Sequence, residues 1–204
     1  VKNQKAQLLI QKSKELFYKF GVKALKMDDI ARELKMSKKT IYQLVGDKDA
    51  LVKSTMETYL IEEKVEMDKI LVNSKDSIDE MIQMVDYIMN AVQDFNPAAL
   101  NDLQKYYPET WAMFDDYRFN YVLGRIQDNI INGIKQGVYR TDINAEVVAK
   151  FYISGIDITL DQTLFPHQKY QFISIYREFL NYHLRGIVSP AGLKYLEQHN
   201  FFKS

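Results

Sequence analysis

An all-α chain of about nine or ten helices is what the sequence predicts, and three observations carry that prediction. Apolar residues recur at three- and four-residue steps from end to end, and no strand-length alternating run with turn chemistry competes. Helix starts and stops punctuate the chain at Gly21, Ser37, Gly46-Asp47, Asn96-Pro97, Pro108, Gly137, Asn144, Pro166 and Ser189-Pro190. The third observation is charge. Residues 1–55 hold 13 Lys/Arg against 6 Asp/Glu, a balance of +7, and residues 56–204 hold 14 against 21, a balance of −7. A basic quarter on an acidic remainder implies a polyanion-binding module joined to a body that does not bind polyanions.

At 204 residues, 47% of them hydrophobic, the chain can form one large domain or a small one fused to a larger, and it is globular rather than disordered. Cysteine is absent, which removes disulfides, thiolate nucleophiles and Cys-based zinc sites. No run approaches ~18 apolar residues, and the N-terminus alternates lysine with polar residues. The expectation is a soluble cytoplasmic protein with neither membrane span nor signal peptide.

Residues 3–20 read as the first helix. Ala6, Leu9, Ile10, Ser13, Leu16, Phe17 and Phe20 share a face, the lysines lie mostly opposite, and Gly21 stops the helix in the left-handed conformation. A second helix covers 27–34, with Asp28 and Asp29 complementing its dipole and Lys26 where a Ser/Thr cap is expected. Ser37 caps a third over 38–44, and after Gly46 the side chain of Asp47 caps a fourth running from 48 to about 72. Ser77-Ile78-Asp79-Glu80 has the form of a capping box opening a helix to about 93. Asn96-Pro97 starts a short helix that Pro108 ends, and the helix restarted there runs to about Gln136, roughly 40 Å of chain. Asn144 caps a helix through Thr159, Pro166 precedes one over 167–187, and Ser189-Pro190 begins a short terminal helix.

The stretch from Met27 to Leu51 concentrates the functional signal. Ile30, Ala31 and Leu34 share one face of the second helix, and Ile41 and Leu44 sit three apart on the third. Helices this short lean on a neighbour, which the first helix supplies. The third helix then exposes Lys38, Lys39, Thr40, Tyr42 and Gln43, which can donate to phosphates or base edges. This is a helix-turn-helix that reads DNA, with Lys38 and Lys39 at the end that enters the major groove. Gln43 either reads adenine or contacts backbone, and Lys48, at a helix start, fits a phosphate.

Leu16-Phe17, Gly21, Met27-Asp28-Asp29-Ile30-Ala31, Ser37-Lys38-Lys39-Thr40-Ile41-Tyr42 and Gly46-Asp47-Lys48-Asp49-Ala50-Leu51 resemble the DNA-binding domain of the TetR (tetracycline repressor) family of bacterial regulators. The resemblance covers about the first fifty residues, and the spacings between its parts also fit. It departs where the family usually has Gly in the turn, here Lys35, and an aromatic pair, here Leu44-Val45. What it implies is a DNA-binding set of Ser37, Lys38, Lys39, Thr40, Tyr42, Gln43 and Lys48, with Thr40 and Tyr42 as phosphate clamps. It also implies a body that binds small inducers.

Beyond residue 55 catalysis has no support. His167, His183 and His199 share no helical face with acids at ligand spacing, so no metal site is expected, and no cofactor. Asp115 and Asp116 are neighbours pointing about 100° apart, a poor two-acid site. Aromatics are dense and for the most part read as core. Two helices meeting at Pro108 could instead enclose an apolar pocket edged by hydroxyls, with Met84, Ile88, Tyr107, Trp111, Phe114, Tyr121 and Phe151 as its lining for an apolar or aromatic effector.

The last two long helices are apolar on more than one face, so each must be covered twice, the second time by another copy of the chain. Val148, Tyr152, Gly155, Ile156, Thr159, Phe172, Tyr176, Phe179 and His183 are the expected interface, a four-helix bundle in a two-fold dimer. Two-fold recognition helices predict a palindromic operator. The reading is therefore a ligand-responsive repressor: a three-helix DNA-binding domain over 1–50, then a helical ligand-binding and dimerisation bundle over 51–204. The competing reading is a dimeric protein-interaction module with a basic arm and no effector.

Overall fold

The structure is a computed structural model that describes residues 2–92, 95–166 and 168–198, with side chains from residue 4 onward. His167 and His199 lie outside the described residues. The described chain is helical with no strand, apart from one isolated antiparallel bridge between Tyr139 and Val188. None of its helices is long and apolar enough to cross a membrane. In order, the helices are α1 (Lys2–Phe20), α2 (Met27–Glu33), α3 (Lys38–Val45), α4 (Lys48–Asn73), α5 (Ser77–Ala91) and α6 (Ala98–Tyr106). They continue as α7 (Pro108–Asp116), a π-helical segment (Tyr117–Val122), α8 (Leu123–Lys135), α9 (Ala145–Leu160), α10 (Phe172–Ile187) and α11 (Pro190–Gln198).

The chemistry that starts and stops these helices is mostly what the residues dictate. Gly21 sits at φ 83° after α1, where a side chain would be strained. Asn144 accepts from the Val147 amide at 3.1 Å, and Asn96 accepts from that of Ala98 at 3.0 Å. Two starts differ from expectation. The α5 cap is Asp76, one residue before Ser77, because its carboxylate accepts from both Ile78 and Asp79 amides. α10 begins five residues later than 167, since the Pro166 carbonyl is taken by the amides of Lys169 and Tyr170 in a turn. The helix begun at Pro108 does reach Lys135, but passes through the π-helical segment.

Two compact units result, one of residues 1–66 with 94–117, the other of 67–93 with 118–204. In the first, Leu9, Ile30, Ile41 and Leu51 are fully buried, one from each of α1 to α4. Each such side chain contributes about 1.5–3 kcal/mol on burial. Leu100, Leu103, Tyr107, Trp111 and Phe114 of α6 and α7 complete this core. In the second, Ile78, Met81, Ile130, Leu184 and Leu196 are fully buried.

Inside the second core lies a polar network. Glu80 accepts from Arg125 at 2.9 Å and from Asn129 at 2.8 Å, and Asn129 also donates to the Ser77 carbonyl. The Tyr139 hydroxyl lies 3.0 Å from that carbonyl and from the Asn129 side-chain oxygen. Burial holds this hydroxyl firmly in its neutral form.

Candidate nucleic-acid interface

The surface of α3 is built from its core outward. Ile41 is fully buried and fixes the rotation of the helix, while Lys38, Lys39, Tyr42 and Gln43 are exposed on it. The Ser37 hydroxyl accepts from the Thr40 amide at 3.0 Å and pairs with the Thr40 hydroxyl at 2.8 Å, so Ser37 serves the helix start. Between α2 and α3, Lys35 lies at φ 52°, in the left-handed region that Gly occupies at no steric cost. The preceding helix, α2, begins without a side-chain cap from Lys26 itself. The Asp29 carboxylate accepts from the Lys26 amide at 3.0 Å, which replaces the missing Ser/Thr.

Charges on this face are unequally engaged. The Lys38 ammonium sits 3.0 Å from both carboxylate oxygens of Asp28, which raises its pKa above the usual lysine value. Lys39 has no partner among the described residues. Lys48 is half-buried and donates to the Val22 carbonyl at 2.8 Å; burial lowers its pKa. It therefore ties the start of α4 to the loop after α1. A run of contacts from α6 reaches the same loop, with the Lys23 amide donating to Asp102 at 2.7 Å and the Lys23 ammonium to the Tyr106 hydroxyl at 2.6 Å. Asp28, Asp102 and Tyr106 were not in the expected set. No local spacing signals them, because each partner is remote in sequence.

The seven expected effector residues are divided between the two units. Tyr107, Trp111 and Phe114 belong to the first core, with the Trp111 and Phe114 ring centroids 5.5 Å apart. Burial, followed by Asp49 and Asp102, raises the pKa of the Tyr107 hydroxyl. Met84, Ile88 and Tyr121 belong to the second core, and Phe151 is 70% exposed. A surface groove of about 420 Å³ is lined by Leu60, Lys64, Ala112, Met113, Asp116 and Tyr117, none of the seven.

Among the nine expected interface residues, Tyr152, Gly155, Thr159, Tyr176 and His183 are buried within the single chain. The reason is the α9–α10 contact itself. A Cβ on Gly155 would stand 2.3 Å from the Phe179 ring, so that glycine admits Phe179 of the same chain. Tyr152 packs on His183 with centroids 4.8 Å apart and on Phe179 at 5.6 Å. Burial lowers the His183 pKa to about 4. Val148, Ile156, Phe172 and Phe179 are half-buried. The apolar residues left outside on these helices are Val147, Phe151, Ile158 and Tyr182, the last 82% exposed. Their four- and seven-residue steps on α9 were the available signal.

Residues 9–55 match the family model described as bacterial regulatory proteins, tetR family. YvaF of Bacillus subtilis (strain 168), described as an uncharacterised HTH-type transcriptional regulator, is 28% identical over 139 residues, 66% of this chain and 70% of its own. A TetR-family transcriptional regulator from Agrobacterium tumefaciens shares the fold with a TM-score of 0.77 at 16% identity, over 93% of this chain and 100% of that one. So does a transcriptional regulator from Saccharomonospora viridis solved in complex with choline, with a TM-score of 0.72 at 18% identity, over 92% and 99%.

Proposed function

We propose that this chain is a DNA-binding transcriptional regulator of the tetR family rather than an enzyme, and that it acts as a homodimeric, ligand-responsive repressor on a palindromic operator. The observation that carries this reading is the α3 surface, which a buried Ile41 holds outward with Lys38, Lys39, Tyr42 and Gln43 exposed. Lys38 and Lys39 meet base edges in the major groove, Thr40 and Tyr42 meet phosphates, and Gln43 reads adenine or backbone. Ser37 and Lys48 hold the frame, through a cap and through the Val22 carbonyl. DNA binding is the task of residues 1–50, and effector binding and dimerisation belong to residues 51–204.

The dimer forms through α9 and α10. Val147, Phe151, Ile158 and Tyr182 support this, because large apolar side chains 44–82% exposed on adjacent helices need a cover that a second copy supplies. The half-buried Val148, Ile156, Phe172 and Phe179 border that face. An apolar or aromatic effector seats against Tyr107, Trp111 and Phe114, whose helix also lines the groove at Ala112 and Met113. Choline in a structural neighbour is compatible with an aromatic seat, since ring faces attract quaternary ammonium groups. Effector binding shifts the pair of recognition helices to a separation that fits the operator poorly, by its differential affinity for the two states. α4 is the lever.

Selection of duplexes from a randomised pool tests the whole reading. Two inverted half-sites one helical turn apart, or a multiple of it, are expected. Recovery of no sequence preference would overturn it. Trp111 is the sole tryptophan, so its fluorescence reports effector binding directly, and release of the recovered duplex by the same compound completes the test.

A further inference from the structure

The contrast between Lys38 and Lys39 extends the reading of α3 and rests on that reading. The Lys38 ammonium has three N–H donors, and both oxygens of the Asp28 carboxylate lie 3.0 Å away. One donor is engaged by the hydrogen bond to Oδ2 while the ammonium stays within ion-pair distance of both oxygens, so donors remain for another acceptor. Asp28 stands in the first turn of α2, opposite the first residue of α3, and its side chain is 66% exposed. Thr40, in the same first turn of α3, is held by the Ser37 hydroxyl and does not compete for Lys38.

We propose that Asp28 is a specificity-determining residue that commits Lys38 to a base edge and withholds it from phosphate. A phosphate approaching Lys38 must also approach the carboxylate, and the two anions repel. A guanine edge offers neutral acceptors, so it can take a remaining donor while the carboxylate keeps its own. Asp28 thus lowers binding to every duplex that offers only backbone, and spares the duplex that offers the right base. Lys39 has no such carboxylate beside it, so its approach to base or backbone carries no such penalty. Repelling the wrong partner in this way raises the ratio of specific to non-specific affinity without adding a contact.

The experiment compares wild type, D28N, K38A and the double variant on two duplexes, one recovered by selection and one of scrambled sequence, across a salt series. D28N should bind the scrambled duplex about tenfold more tightly near 0.1 M salt, with a salt slope steeper by roughly 0.9, the signature of one added phosphate contact. Its affinity for the recovered duplex should change by less than about threefold, so the specificity ratio falls. In the K38A background the same change should leave scrambled-duplex binding unaltered. Asp28→Ser, which removes the charge with a different side chain, should repeat the D28N result, and thermal melts of both verify the fold. An unchanged scrambled-duplex affinity in D28N overturns the proposal. So does an equal rise with and without Lys38, which would be plain loss of surface negative charge. The underlying reading fails differently: if K38A and K39A both bind the recovered duplex like wild type, α3 does not read it.

Discussion

Helices α3 and α9 carry comparable signals in sequence and end in opposite situations. On α3 Ile41 is the one buried residue, Leu44 and Val45 pack partly against the same core, and Lys38, Lys39, Tyr42 and Gln43 are exposed. On α9, apolar residues run around the helix; the chain's own α10 covers Tyr152 and Gly155, Ile153 and Thr159 are buried as well, and Phe151 and Ile158 stay outside. A short helix with one apolar face has one possible orientation. A helix with several leaves the choice of face to its neighbours, and only packing makes it.

The largest effect is expected from removing the residue that orients α3. Ile41→Ala leaves a cavity in the first core and should cost about 2–5 kcal/mol of stability, read as a lowered urea midpoint. A loss under about 1 kcal/mol would mean that Ile41 does not set the helix rotation.

Next comes the inward face of α10. His183 is neutral in the fold with its pKa lowered to about 4 from 6.5, and its Nε2 has no partner among the described residues. Between those values the unfolded chain binds the extra proton, so stability falls as pH drops. The contribution is complete above pH 6.5 and lost on passing through pH 4, up to about 3 kcal/mol over the window. His183→Phe should flatten this part of the stability profile, and denaturant melts from pH 7 to about 4 measure it.

The outward face of α3 should behave in reverse. Lys39→Ala should leave the melting temperature unchanged and weaken binding to the recovered duplex by about 1–3 kcal/mol, followed by titration. A change in stability with unchanged binding would make Lys39 structural.

The smallest effect belongs to the turn that presents α3. Lys35→Gly relieves left-handed strain of roughly 1–2 kcal/mol and gives back about 0.5–1 through the freer unfolded chain. A net gain near 0.5 kcal/mol, visible as a slightly higher melting temperature, is expected.

Legibility followed the range of the interactions. Caps and stops at Ser37, Gly21 and Asn144 act within four residues, so the order of helices and most of their bounds could be read directly. Lys35 stands where the resembled family has Gly, and its φ of 52° is the conformation that Gly adopts freely. Asp28 beside Lys38, ten residues apart, was visible as two charges but not as a pair. Asp102 at the Lys23 amide and Glu80 among Arg125 and Asn129 join positions 45 to 79 residues apart, and no local pattern encodes them.

The amino-acid sequence by itself determined the all-α class, the helix order, the basic N-terminal module and the exposed residues of its third helix. Each of those rests on periodicity, capping and charge, which are local properties of the chain. Tertiary structure alone decided that Tyr107, Trp111 and Phe114 join the first core, that Phe179 fills the space over Gly155, and that Asp28 holds Lys38. Apolar side chains are attracted without direction and charges find whichever partner folding brings close, so these choices exist only once the helices have met.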